Sequence, residues 1–420
     1  MKKNCRRFLV LAALLSLFLP GIASAADKTA EMEQKLQALA AQLQELQSQL
    51  QAQKAEIETY KKTINQHHRD IENNNQHLKR QEEALEATKK GQESLSQVAE
   101  KLKVINEHVK ISGLVEAEAF ATDGYDGENE SDITLATVEL GIDVNLHKFV
   151  SGHILFLWEE DDTEPVDIDE GYIYLGNTEV FPVYFQVGKL YVPFGNFESN
   201  MISDPLTLEL GETRESAAQL GFESHGFYAA AYAFNGDIDE AGDDNEIKNF
   251  GFNGGYAYEQ GDLSFDIGAG WINDIGDSET LKDTLPGEIE DYVPGWTAHA
   301  IFNWKGLTLI GEYLAATDNF ENIELEWKDK GAEPETWNLE TAYTFEVAGH
   351  ETVFALAWQG SDEALALELP EDRYMGSLSI GIIEGLTFSL EYAHDEDYSG
   401  SEGGSGDNAD TVTSQLSLEF

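Results

Sequence analysis

The chain has 420 residues, 41% of them hydrophobic, and carries a formal net charge of −53. That charge excludes a nucleic-acid partner, because a phosphate backbone must be met by Lys and Arg. Seven Trp, 16 Tyr and 21 Phe exclude disorder throughout, since so many aromatic rings need something to pack against.

Residues 1–25 read as a secretory signal peptide. Lys2, Lys3, Arg6 and Arg7 form a basic start, an apolar run follows from Phe8 to Leu19, and Ala23-Ser24-Ala25 is a small-residue cleavage site. The single cysteine, Cys5, lies inside this segment, so the mature chain has neither a disulfide nor thiol chemistry.

Residues 26–108 read as a periplasmic coiled coil. Heptad position a holds Leu36, Leu43, Leu50, Ile57, Ile64, Ile71, Leu78 and Leu85. Position d starts with Leu39 and Leu46 and then turns polar, with Gln53, Tyr60, His67, Asn74, Gln81 and Thr88. At ~1.5 Å per residue, roughly 80 helical residues reach about 120 Å. A long helix with a half-polar seam needs partners, and this predicts a homo-oligomer, a trimer being the expected form. His67, His68 and His77 read as neutral seam or surface residues rather than as a metal cluster.

From Val109 the period changes from 3.5 to 2. Ala136, Val138, Leu140, Ile142, Val144 and Leu146 alternate with Thr137, Glu139, Gly141, Asp143 and Asn145. This is the pattern of a strand with one face in lipid and the other in a wet lumen. Sixteen such strands are expected, near 109–121, 132–146, 152–159, 168–176, 183–190, 215–223, 226–235, 249–258, 263–273, 295–304, 307–317, 337–346, 351–359, 373–382, 386–394 and 411–420. Short turns such as Lys305-Gly306, Glu384-Gly385 and Ser224-His225 alternate with long loops starting near Thr122, Glu160, Tyr191, Gly236, Asp274, Asp318, Gly360 and Asp395. The last strand alternates Val412, Ser414, Leu416, Leu418 and Phe420 on one face. The expectation is therefore an all-β transmembrane barrel of about 16 antiparallel strands over residues 109–420, preceded by a long α-helical coiled coil. It would sit in a bacterial outer membrane among lipid and lipopolysaccharide. Residues 26–110 carry a net −1 and residues 111–420 a net −56.

The third long loop, about 191–214, differs in composition from the others, which are mostly acidic and Gly-rich. It holds Pro193, Phe194, Phe197, Met201, Ile202, Leu206, Leu208 and Leu210. Two placements remain open: a lid across the barrel mouth, or a constriction folded into the lumen. In either case Glu198, Asp204, Glu209 and Glu212, with the rare basic residues Lys189 and Arg214, are the candidate pore-lining groups. Strict alternation puts Lys189 on the face of Phe185 and Val187, so it reaches the lumen only from a rim or a bulge. The stretch VGKLYVPFGNFESNMISDPLTLELGETRESAAQLGFE, residues 187–223, together with the export signal, helical N-terminus and barrel, resembles the LbtU-type siderophore porins. That resemblance implies uptake of a ferric siderophore or similar small solute without a plug domain, and no plug-sized region precedes the barrel. A barrel at −56 opposes the passage of an anionic chelate.

Three roles fit the acidic loops: concentrating cations, binding the Ca²⁺ or Mg²⁺ that bridges lipopolysaccharide, or keeping the surface soluble in salt. Asp237-x-Asp239 falls short of a calcium loop, and Asp123, Asp126, Glu128 and Glu130 read as a solvated loop. No G-x-S-x-G or H-E-x-x-H motif occurs, so neither an enzyme nor a cofactor is expected. The competing class is a structural tether, with the coil spanning the periplasm and the barrel as its anchor.

Overall fold

The computed structural model describes residues 27–101, 108–160, 163, 165–242 and 246–420. The signal peptide lies outside these residues. Two units are present, and each is described by itself.

The first unit contains one helix, α1 (Asp27–Lys101). The absence of Pro and the abundance of Gln, Glu, Lys and Leu favour it. Leu39, Leu43, Leu46, Leu50, Ile57, Leu78 and Leu85 are 52–62% exposed. One copy of the helix therefore leaves its apolar stripe uncovered.

The second unit is a closed antiparallel barrel of sixteen strands. They are β1 (Val109–Asp123), β2 (Asn129–His147), β3 (Val150–Trp158), β4 (Asp167–Asn177), β5 (Phe181–Tyr191), β6 (Arg214–Ser224), β7 (Phe227–Phe234), β8 (Asn249–Gln260), β9 (Leu263–Ile272), β10 (Gly295–Trp304), β11 (Leu307–Ala316), β12 (Glu335–Val347), β13 (His350–Asp362), β14 (Asp372–Ile383), β15 (Leu386–Glu396) and β16 (Asn408–Glu419). Each pairs with its neighbours in sequence, and β1 pairs with β16 to close the ring. Gly113 and Phe420 complete the seam by exchanging backbone hydrogen bonds at 2.9 and 3.0 Å.

Side chains alternate as a lipid-facing barrel requires. Leu140, Ile154, Ile173, Phe185, Leu220 and Phe252 are exposed on the outer face. One end of the barrel carries tight turns. Lys305-Gly306 and Ala348-Gly349 both have positive φ at both positions, the two-residue hairpin geometry that matches strand twist. The turn after β6 is His225-Gly226, one residue beyond the expected Ser224-His225, because Gly226 tolerates φ 86° at the second position.

Two expectations about the long loops are corrected. The first loop is only residues 124–128, because β1 and β2 continue past their apolar stretches on backbone pairing alone. The third loop is also not alone in being apolar. Ile275, Leu281, Leu285, Ile289 and Val293 from the fifth loop are buried. So are Phe320, Leu325 and Trp327 from the sixth, Leu367 and Leu369 from the seventh, and Tyr398 from the eighth. Together with Leu206 and Leu210 they form a dry core over the long-loop end. The acidic residues between these anchors, such as Asp283, Glu288, Glu290, Asp318, Glu321 and Glu326, are exposed.

Candidate pore constriction

The third loop folds into the lumen. Its ends are pinned where β5 and β6 leave the wall, Val192 N–H donating to the Thr213 carbonyl at 2.9 Å. From there it reaches five consecutive strands, β11–β15. Asn196 and Phe197 donate their N–H groups to the two oxygens of Glu312 at 2.8 and 2.9 Å. The Asn200 N–H and the Ser199 hydroxyl donate to Glu340 at 2.9 and 2.8 Å. Ile202 N–H and Ser203 Oγ donate to Glu391 at 2.5 and 2.6 Å. Leu206 N–H reaches Gln359 Oε1 at 3.1 Å, and Ser377 Oγ donates to the Asn200 carbonyl at 3.0 Å. A loop rooted at β5 and β6 that is held by β15 crosses the pore.

The three wall glutamates are 2–4% exposed. Buried carboxylates persist only when their lone pairs are filled, and here loop N–H groups fill them. The loop's own apolar residues face the barrel core: the short helix α2 (Leu206–Gly211) buries Leu206 and Leu210 completely. Phe197 adopts φ 59°, a left-handed conformation that turns the chain between the Glu312 and Glu340 anchors.

The loop separates two cavities. The outer one, about 410 Å³, lies at the long-loop end and is lined by Glu159, Asp204, Glu209, Glu212, Arg214 and Glu279, among others. Arg214 pairs with Asp169 and, at 3.3 Å, with Glu279, and its guanidinium lies 5.8 Å from the Tyr191 ring centre. Burial pushes Glu212 up to about 8, with Glu279, Asp204 and Glu209 adding to the rise. Burial and then Glu209 push Asp204 up to about 6. Burial also raises Glu209, opposed by the Thr280 hydroxyl that donates to it at 3.2 Å.

The inner cavity, about 400 Å³, lies towards the short-turn end and is lined by Asn196, Glu198, Glu259, Ser264, Asp266 and Asn303, among others. No Lys or Arg is among its lining residues.

Of the sequence candidates, Asp204, Glu209, Glu212 and Arg214 therefore meet in the outer cavity, while Glu198 points into the inner one. Lys189 lines neither. Its Nζ donates to the Ile168 carbonyl at 2.9 Å and lies 3.7 Å from Asp167, and the unbroken register keeps it on the face of Phe185 and Val187, as strict alternation expects. Glu312, Glu340, Gln359 and Glu391, which hold the loop, were not singled out from sequence. Nor were Asp169 and Arg373, whose guanidinium pairs with Asp395 at 2.8 Å. Lys282, Lys328 and Lys330 also each have a carboxylate partner. Among the described residues, no group of three or more His, Cys, Asp or Glu is arranged to hold a metal ion.

Searching for similar proteins gives a fold but no family. No family model matches the chain. A Coxiella burnetii protein described as UPF0422 is 29% identical over 300 residues, which is 69% of this chain and 64% of that protein. A UPF0422 protein of Legionella pneumophila strain Lens is 26% identical over 354 residues, 74% of this chain and 66% of that one. The chain thus spans just under two thirds of the length of these relatives. Among solved structures, OprB of Pseudomonas putida superposes with TM-score 0.54 at 11% identity, covering 76% of this chain and 96% of that one. An anion-selective porin from Comamonas acidovorans gives TM-score 0.52 at 13% identity, covering 74% and 99%. The outer membrane channel DcaP of Acinetobacter baumannii gives 0.51 at 13%, covering 74% and 97%. The barrel has a porin fold. These likenesses extend to the architecture alone, and the chemistry of the lumen belongs to this chain.

Proposed function

We propose that this protein is a passive outer-membrane channel for small hydrophilic solutes, with a preference for cations. The observation that carries the reading is the third loop, which crosses the lumen and leaves an acidic chamber on either side. Carboxylates neutralise the basic side chains nearest the path, Arg214 and Arg373. In a narrow passage a fixed charge acts with little screening, so its sign decides which ion enters. Reversal potentials across a planar bilayer in a KCl gradient test this. Preference for K⁺ supports the reading, and preference for Cl⁻ overturns it.

The finer solute is a ferric chelate, a reading that rests on the resemblance of residues 187–223 to siderophore porins. The acidic lumen restricts that chelate to a neutral or positively charged one. A deletion strain that grows normally on every defined ferric-siderophore source would rule it out.

Helix α1 is the oligomerisation element: a periplasmic coiled coil, three-stranded in our reading, that covers the stripe from Leu39 to Leu85. Sedimentation of the detergent-solubilised chain with and without residues 27–101 tests it, a mass unchanged by the deletion counting against it. The length of α1 also supports a tether role, with the barrel anchored among lipopolysaccharide. A barrel closed to K⁺, together with envelope detachment on deletion, would favour the tether over the channel.

A further inference from the structure

The wall from β4 to β9 holds no part of the loop's clamp and carries a different set of side chains. Tyr174 lies between the outward-facing Ile173 and Leu175, Tyr184 precedes the outward-facing Phe185, and Tyr228 follows the outward-facing Phe227. Side chains alternate along a strand, so all three phenols enter the lumen.

Two of them lie against the wall because the strands beside them offer glycine. A Cβ added at Gly221 would stand 2.0 Å from Cζ of Tyr184, and one at Gly255 would stand 2.3 Å from Cζ of Tyr228. Tyr174 stacks on Tyr184, with ring centres 5.2 Å apart and planes 24° apart. Tyr184 is thus held between Gly221 and Tyr174, which leaves Tyr174 as the outer ring of the pair, while Tyr228 is pressed onto the wall at Gly255.

Carboxylates stand beside these faces. Glu223 is the register partner of Tyr228 across β6 and β7, lines one cavity with it, and lies on the same strand face as Gly221, the register partner of Tyr184. Asp266 accepts the Tyr228 hydroxyl at 2.7 Å and lies 3.2 Å from His299 Nε2. Asp266 also lines the inner cavity with Glu198 and Glu259, where no basic side chain intervenes.

Covering a bare stretch of strand explains a ring over a glycine, but it does not call for a carboxylate at each ring. Aromatic faces next to negative charge are the chemistry that holds an organic cation, the ring taking its apolar surface and the carboxylate its charge. A neutral polyol would gain nothing from the charge, and an anion would be repelled by it. We propose that this stretch of lumenal wall, beside the inner cavity, binds small organic ammonium ions on Tyr174, Tyr184 and Tyr228, with Glu223 and Asp266 as counter-charges. This deepens the cation-channel reading by naming the class of solute, and it rests on that reading only for the solute's route.

The test uses the full chain refolded in detergent and two probes of equal shape, choline and its uncharged isostere 3,3-dimethylbutan-1-ol. Titration calorimetry measures their binding, and K⁺ current through the same protein in planar bilayers is recorded in parallel. Choline should bind at least about fivefold more tightly than the alcohol. Tyr184→Leu with Tyr228→Leu should weaken choline roughly fivefold, while the Tyr184→Phe with Tyr228→Phe pair keeps most of the affinity. Should the leucine pair not fold, Glu223→Gln carries the test, and it too should weaken choline binding. Equal binding of choline and the alcohol, or choline binding indifferent to both the leucine pair and Glu223→Gln, overturns the proposal. A conducting barrel without choline discrimination removes this inference alone. A barrel closed to K⁺ that still discriminates choline removes the channel reading instead.

Discussion

The two chambers on either side of the third loop are nearly equal in volume and both acidic, yet they are built differently. The outer chamber is made of loops: its carboxylates sit on the second, third and fifth loops, and Arg214 and Lys282 stand among them. The inner chamber is made mostly of strands, with Glu259, Ser264, Asp266 and Asn303 on β8, β9 and β10 and only Asn196 and Glu198 coming from the loop. Loop carboxylates buried against one another shift their protonation in the outer chamber, and burial raises Glu198 in the inner one, while Asp266 on its strand accepts the Tyr228 hydroxyl. The outer chamber is the one whose Asp204 and Glu212 are pushed up to about 6 and about 8, so long as the partition between them holds.

Removing the partition has the largest expected effect. Glu312 accepts from the Asn196 and Phe197 N–H groups, from the Thr207 hydroxyl and from the Thr297 hydroxyl of the wall, so Glu312→Ala strips three loop donors and one wall donor at once. Hydrogen bonds to a charged acceptor contribute about 1.5–3 kcal/mol each, and losing the acceptor leaves buried N–H groups unpaired. Glu312→Ala combined with Glu391→Ala should release the loop, merge the chambers and raise single-channel conductance about twofold or more. Thermal unfolding followed by heat-modifiable gel mobility should move down. Unchanged conductance with a lowered transition would mean that the loop is a fixed plug whose anchors serve stability alone.

This clamp shows where the sequence is legible and where it is not. The strand ladder was readable because lipid demands an apolar side chain at every second position, and β10 was placed at 295–304, its observed bounds. The identity of the loop residues was readable as well, since a cluster such as Leu206, Leu208 and Leu210 is out of place in water. The anchors were hidden. An inward Glu on a strand has the same pattern whether it faces water or a loop, and Glu312 lies 115 residues from Phe197, to which it is bound. The apolar dome was hidden for a related reason: Ile275, Leu281, Leu285 and Ile289 are spread through acidic sequence and cluster only when six loops converge. The short first loop was misjudged because Asn129, Glu130 and Ser131 pair above the apolar band, where alternation carries no hydrophobic signal.

A smaller effect is expected from titrating the outer chamber. Asp204 and Glu212 have folded-state pKa values raised to about 6 and about 8. A raised carboxyl contributes stability that is complete below its ordinary range and is lost as pH rises through the folded value. Between pH 5 and pH 9 the outer chamber therefore gains negative charge while the loop becomes less firmly held. K⁺ selectivity should rise across that window, and thermal stability should fall across it. Asp204→Asn with Glu212→Gln should flatten both profiles and leave choline binding on the β4–β9 wall where it was. A double variant that keeps the full pH dependence would place the titration elsewhere.

A smaller effect again is expected at Arg214, one of the two rare basic residues that the sequence puts at the third loop. An arginine in an acidic lumen suggests a strong local field, and on that reading Arg214→Ala should move selectivity sharply towards cations. The structure weakens the argument, because Arg214 is already paired with Asp169 and Glu279. Asp169 is buried and also accepts the Tyr191 hydroxyl at 3.2 Å. Without the guanidinium it becomes a buried, unpaired carboxylate, and such a group takes up a proton rather than stay charged. The variant then loses one positive and one negative charge together, leaving only the freed Glu279 to act on the pore. Arg214→Ala should raise K⁺ selectivity less than the pH change does, and destabilise the rim by about 1–3 kcal/mol. Neutralising Asp126, Glu128 and Glu130 together should do less still, since these exposed groups lie at the tip of β1 and β2 where salt screens them. Reversal potentials for the single and triple variants at neutral pH decide the order. If the triple variant moved them more than Arg214→Ala, the mouth would be governed by its outer loops and not by the outer chamber.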